Sequence, residues 1–360
     1  MKKYSLFWGF IAVSLFALAS EPNGYYQDAD NKASAELRRA LTDIIDDHTD
    51  IGYKGLWTLY GTSDRRKDNK IWDMYSTCDF TYQTNQCGNY TNVCDCYNRE
   101  HSVPQSWFGE QLPMKSDAFH IYPTDGKVNA ERGNLPYGEC NNGTTISSKQ
   151  LGKKGASSFP GYSGTVFEPD DQYKGDFARS YFYMAIRYAD NNLSKGSGNI
   201  SFSYNSSATP KTDLTAYAIN LFLKWHRNDP VSDKETSRND AVYALQNNRN
   251  PFIDIPILAE YIWGNRVGQT WSLNASSIEE PLAEELIVYP IPAKDHITVD
   301  YTYDNSEFDY ELFNLSAMVV ASGKGTFGNI IDISSISEGF YLLRIKKNNS
   351  LIIKKITIIK

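Results

Sequence analysis

Between Asn274 and Glu285 the chain turns polar and acidic, and the residue patterns on its two sides differ in kind. A run with so little apolar material reads as a connector between separately folded units. The boundaries that follow are 20–275 for a first unit, 276–285 for the linker and 286–360 for a second. A length of 360 residues agrees with two cores rather than one. Beyond the linker the pattern is one of short alternating strands at 297–301, 310–313, 339–345 and 351–359, with turns such as Lys347 to Ser350 between them. This is the signature of a small all-β sandwich.

The N-terminus has the layout of a secretory signal. Lys2 and Lys3 precede an apolar stretch from Leu6 to Leu18, and Ala17-Leu18-Ala19 fits the small-residue cleavage rule, so 1–19 is predicted to be a signal peptide. The stretch is short for a membrane span, and no other segment is long and apolar enough to be one. Export makes Cys78, Cys87, Cys94, Cys96 and Cys140 disulfide candidates. Two bridges would leave one thiol, and the sequence does not choose among the pairings. Zinc is the rival reading for the cluster at 87, 94 and 96, but its spacing matches no paired CxxC pattern.

Apolar residues at 41% and charged residues at 22% are enough for real cores. The 25 tyrosines exceed what packing needs, and many are expected to pack by the ring and hydrogen-bond by the hydroxyl. Net charge is −7, with 31 acids against 26 bases over 20–275. A nucleic-acid binder is more often basic, so any such binding should be weak and local rather than spread over many phosphates.

Within the first unit, helices are predicted over 33–47, 176–190, 213–227 (with Asp213 as N-cap) and 234–246, the last closed by Pro251. The Tyr- and Trp-rich segments Leu56 to Tyr60 and Ile71 to Ser76 read as short strands flanking a charged turn at 64–68. Aromatic and Met positions on the later helices read as core.

The chemistry lies in Asn98-Arg99-Glu100-His101-Ser102-Val103-Pro104, Ser116-Asp117-Ala118-Phe119-His120 and Val128-Asn129-Ala130-Glu131-Arg132-Gly133-Asn134. A neutral imidazole accepts a proton from water near pH 7. A carboxylate and an amide oxygen are hard ligands, suited to Mg²⁺, Mn²⁺ or Ca²⁺ rather than zinc. Thr124 is placed to cap a helix carrying Asn129 and Arg132. Adjacent strand residues point to opposite faces, so Glu100 and His101 share a site only at a strand end, at a bulge or around the backbone, and local irregularity near residue 100 is expected. Each residue alone has a duller explanation: a surface or core histidine, a turn asparagine, a solvated glutamate.

Together these stretches resemble the endonuclease I family of exported bacterial nucleases in the ββα-metal group. The resemblance runs in order over about 52–264 and includes Ile71 to Ser76, Lys174 to Arg179 and Gln246 to Asp254. It implies an α+β fold, a ββα-metal core with added helices ahead of the small all-β sandwich. It implies His101 as general base, Glu100 and Asn129 as ligands for Mg²⁺ (Mn²⁺ or Ca²⁺ as alternatives), and Arg132 on the scissile phosphate or in a structural ion pair. His120 and Asn134 would support these residues, and Arg179 and Arg249 are further phosphate or structural candidates. The implied reaction is hydrolysis of DNA, in some members also RNA, with little sequence preference and 5′-phosphate ends. The segment from His101 to His120 is short, so contacts made by a longer insert elsewhere in the family do not transfer.

The second unit resembles the C-terminal sorting domain of proteins exported by the type IX system, through Val288-Tyr289-Pro290-Ile291-Pro292-Ala293, Ser337 to Tyr341 and the basic end at Lys354, Lys355 and Lys360. Ile291 departs from the usual Tyr-Pro-Asn-Pro. The expected location is secreted or cell-surface, with nucleic acid and the secretion machinery as partners. The alternative from another class is an inactive surface binding protein whose β-domain does the work. A zinc His-Glu-x-x-His motif, a serine elbow (Gly161 to Gly164 does not match) and a P-loop (nor does Gly152 to Gly155) are all missing.

Overall fold

The computed structural model describes residues 21–273, 286–301, 307–314, 318–347 and 350–360. The signal peptide and the linker read from the sequence lie outside them. Packing divides the chain between Leu273 and Asn274, and each unit has its own apolar core. Helices and small sheets share the first unit, and the second is built of strands.

In the first unit, α1 (Ser34–Ile45) buries Leu37, Ala40, Leu41 and Ile45, one face at helical spacing. Helix α2 (Gly52–Ser63) corrects the strand expected at 56–60. Leu56, Leu59, Tyr60 and Ser63 are its buried residues, and this i, i+3, i+4, i+7 stripe outweighs the β preference of the aromatics. The segment 71–76 makes only isolated bridges, at Ile71 and Ser76, and forms no strand.

At the heart of the unit lies α4 (Lys174–Arg187). Every residue from Gly175 to Ile186 is buried, so this helix is covered on all sides rather than along one stripe. Its polar groups are met individually: Asp176 pairs with Lys234, Arg179 with Glu235, and Ser180 with Tyr122. Helix α5 (Ala216–Asn228) is capped by Thr215, which accepts from the Ala218 amide. Asp213, the expected cap, instead pairs with Arg38 and accepts from the Trp263 indole. Helix α6 (Asp233–Gln246) opens with a capping box between Ser232 and Glu235 and closes with Asn247 in the left-handed conformation. Pro251 starts the next short helix, 251–254, rather than stopping α6.

The second unit has two antiparallel sheets. Strands β3 (Leu286–Tyr289), β4 (His296–Tyr301) and β7 (Ile330–Asp332) form one in the order β7-β4-β3. The other runs β6-β5-β8-β9 and comprises β5 (Glu307–Phe313), β6 (Val319–Thr326), β8 (Gly339–Lys347) and β9 (Ser350–Ile358). Alternate residues such as Ile297 and Val299, Leu343 and Ile345, and Ile352 and Ile356 meet in one core, as a sandwich requires. Strand β6 is hidden in the sequence because Gly323, Lys324 and Gly325 break its alternation.

Candidate active site

Two strands and a helix build the site. Strand β1 (Tyr97–His101) pairs antiparallel with β2 (Ile121–Asp125), in a register that sets Glu100 opposite Tyr122 and His101 opposite Ile121. Strand β2 runs directly into α3 (Gly126–Arg132). Asp125, not Thr124, caps this helix: its Oδ1 accepts from the amides of Lys127 and Val128, each at 2.9 Å, and its Oδ2 from that of Cys94 at 2.6 Å. A carboxylate serves three donors, whereas the Thr124 hydroxyl is buried without a partner among the described residues. No register shift interrupts the ladder at Glu100. The irregularity expected there is absent, and His101 is the last residue of its strand.

The strand's alternation sorts the side chains. Asn98 and Glu100 share one face, and Tyr97, Arg99 and His101 share the other. Two α3 residues one turn apart reach the first face. Asn129 Nδ2 donates to Asn98 Oδ1 at 2.6 Å, and Arg132 Nη1 donates to Glu100 Oε1 at 2.9 Å. Tyr75 Oη also donates to Glu100 Oε1, at 2.8 Å. Both hydrogen bonds to Glu100 therefore fall on Oε1, and among the described residues none reaches Oε2 or the amide oxygen of Asn129. One carboxylate oxygen and one amide oxygen thus remain to coordinate, a donor set that fits a hard divalent cation. Burial pushes the Glu100 carboxyl up to about 7, against the pull of Arg132 and Tyr75.

Arg132 is 1% exposed. Besides Glu100 it donates to the carbonyls of His101 at 2.8 Å and Ser102 at 2.7 Å, and its guanidinium carbon lies 4.6 Å from the centre of the Tyr137 ring. Of the two roles open to it in the sequence, this geometry fits the structural ion pair rather than a hand on the phosphate. The same holds for Arg179, buried against Glu235, and for Arg249, buried against Asp254 and Asp240.

His101 Nε2 lies 3.2 Å from the carbonyl of Lys115. A carbonyl only accepts, so Nε2 carries the proton and Nδ1 is the basic nitrogen. The ring stacks on Tyr53 at 5.7 Å and leans on His120 at 5.5 Å. Burial first, then the charges of His120, Lys115 and Arg99, push His101 down to about 3 against the hydrogen bond to the Lys115 carbonyl, which keeps it neutral at neutral pH. His120 is fully buried, donates from Nε2 to the Met114 carbonyl at 2.7 Å and is pushed down to about 4 by burial. It thus supports His101 by packing. Asn134 is exposed, and its carbonyl accepts from Ser197 Oγ at 2.9 Å; among the described residues no contact brings its side chain to the site.

The cysteines pair as Cys78–Cys94 and Cys87–Cys96, and Cys140 is a buried free thiol pushed up to about 11. Cys78, Cys94 and Asp125 lie within 4.8 Å of one another, but a disulfide has no thiolate to offer a metal. Sequence reasoning gave no role to Tyr75, Asn98, Tyr53 or Arg99. For Asn98 the signal was present, since i−2 from Glu100 on a strand is the same face.

The family described as Endonuclease I matches residues 33–257, and that described as Secretion system C-terminal sorting domain matches residues 287–360. An extracellular ribonuclease of Bacillus subtilis (strain 168) is 33% identical over 267 residues, covering 69% of this chain and 84% of its own. An extracellular ribonuclease of Bacillus amyloliquefaciens is 32% identical over 256 residues, covering 68% and 80%. An extracellular deoxyribonuclease of Aeromonas hydrophila is 26% identical over 183 residues, covering 43% and 64%.

Proposed function

The chain belongs to the endonuclease I family and is an exported nuclease, and from that premise we propose that its ββα site hydrolyses phosphodiester bonds in DNA with a bound divalent cation. Glu100 Oε2 and Asn129 Oδ1 would hold the ion, with Mg²⁺ as the first choice and Mn²⁺ or Ca²⁺ as alternatives. When bound, such an ion supplies positive charge against the phosphate and the departing oxygen. His101 Nδ1 takes the proton from the attacking water, while the Lys115 carbonyl keeps the other nitrogen protonated and the ring in place. Arg132 and Tyr75 hold Glu100 from behind. Attack in line with the 3′ oxygen leaves 5′-phosphate ends, and contacts through phosphate rather than bases give little sequence preference.

The observation that carries this reading is the neutral His101, its Nε2–H fixed, at the strand end next to Glu100. RNA is the second reading for the substrate, favoured by the likeness to two Bacillus extracellular ribonucleases. Residues 286–360 would engage the type IX secretion machinery and be removed on export, with no catalytic part.

The test incubates the full chain and its His101→Ala variant with supercoiled plasmid and with single-stranded RNA, in Mg²⁺ and in EDTA. Cutting by wild type that needs the ion and falls about 10²–10⁴-fold in the variant supports the proposal. Undiminished cutting by His101→Ala overturns the mechanism. No cutting by oxidised wild type in Mg²⁺, Mn²⁺ or Ca²⁺ would leave the inactive binding protein. Direct ligation of the products, without prior phosphorylation, checks the 5′-phosphate ends.

A further inference from the structure

The face of β1 that carries His101 packs on α2, and the two spacings match. Same-face strand residues recur about every 6.6 Å, and helix residues four apart rise about 6 Å. Three rungs result. Tyr97 meets Trp57 edge-on at 5.5 Å, Arg99 lies between Trp57 and Tyr53, and His101 stacks on Tyr53. The Arg99 guanidinium carbon is 3.5 Å from the centre of the Tyr53 ring and 4.5 Å from that of Trp57. Its Nη1 donates to the Tyr53 carbonyl at 2.8 Å.

Arg99 differs from the buried arginines around it. Arg132, Arg179, Arg238 and Arg249 each pair with a carboxylate. Among the described residues Arg99 has no carboxylate partner, its Nε and Nη2 make no hydrogen bond, and it is only partly buried. A guanidinium held over two aromatic rings has already lost much of its side-chain entropy, so little more is lost when it takes an anion. A cation held rigid, unneutralised and one same-face step from the general base is suited to a phosphate.

We infer that Arg99 binds a backbone phosphate of the nucleic acid adjacent to the scissile one, with Tyr53 and Trp57 as the clamp that fixes its plane. It supplies local positive charge on an acidic chain. This rests on the nuclease reading for its substrate.

The test measures binding of a labelled single-stranded DNA dodecamer to the full chain in EDTA, where the proposed reaction does not run, by fluorescence anisotropy between 50 and 200 mM KCl. The variants are Arg99→Gln, which keeps a planar head without charge, and Arg99→Lys, which keeps charge without the fork. Arg99→Gln is expected to weaken binding about tenfold at the lowest salt and to make the slope of log affinity against log[KCl] shallower by about 0.7, one phosphate contact on a single strand. Arg99→Lys is expected to keep the wild-type slope with intermediate affinity. Wild-type affinity and slope in Arg99→Gln would overturn the inference, as would weaker binding at an unchanged slope. The readout does not depend on cutting, so a chain that binds through Arg99 but fails the plasmid and RNA assays refutes the nuclease reading alone.

Discussion

Arg132 Nη1 lies 2.9 Å from Glu100 Oε1, and the two side chains are 1% and 2% exposed. The contact joins α3 to β1 and sets the carboxylate that would coordinate the metal. Removing one partner of a buried pair leaves the other uncompensated, at a cost of about 3–5 kcal/mol. Arg132→Met should therefore lose about that much in urea unfolding, and adding Glu100→Gln should recover part of it. A loss below about 1 kcal/mol in the single variant would show that the pair does not hold the site together.

Asn98 accepts from Asn129 Nδ2 at 2.6 Å and so orients the amide oxygen that would face the ion. Residues that orient a metal ligand commonly contribute about 10–100-fold in affinity. Titrating Mg²⁺ into the cleavage assay, Asn98→Ala should need about tenfold more metal for half-maximal rate. Coincident titrations would exclude this orienting role.

The Cys78–Cys94 bridge reaches the site through the Cys94 amide, which donates to Asp125 Oδ2 at 2.6 Å while Asp125 caps α3. A bridge closing a loop of sequence separation 16 contributes about 3 kcal/mol. The double variant Cys78→Ser/Cys94→Ser should unfold at lower urea by that amount and should cleave more slowly as the cap of the Asn129 helix loosens. Wild-type cleavage alongside the lost stability would confine the bridge to a structural role.

His226 is held neutral by its neighbours. Arg179 Nη1 donates to its Nδ1 at 3.2 Å, and its Nε2 donates to the Pro256 carbonyl at 3.1 Å. Burial first and Arg179 next push it down to about 4, with Arg227 adding to the shift and Glu260 and the Pro256 carbonyl opposing it. The folded value lies below the unfolded 6.5, so the unfolded chain takes up the proton first. Stability is full above about pH 6.5 and declines as pH falls towards 4, by about 3 kcal/mol from this group. Urea unfolding at several pH values should show a smaller acid loss in His226→Gln than in wild type. Equal slopes would assign the loss to other groups.

Sequence alone determined what depends on residue chemistry and short-range order. The motifs proposed Glu100, His101 and Asn129 as site residues, alternation gave the sandwich, and periodicity gave helices α1, α4, α5 and α6. What it left open were choices of partner across long separations. Glu100 meets Tyr75 25 residues away and Arg132 32 away, and Arg179 meets Glu235 56 away. Nothing in the local pattern says whether such an arginine faces a phosphate or a buried carboxylate. The cysteine pairing was open for the same reason, because several loops close with similar entropy and the fold selects among them. The helix over 52–63 was lost to aromatic composition, since its stripe becomes apolar on one side only once there is a core for Leu56, Leu59 and Tyr60 to enter. Tertiary packing also produced the Tyr53–Arg99–Trp57 clamp, because it took the docking of α2 on β1 to bring those side chains together.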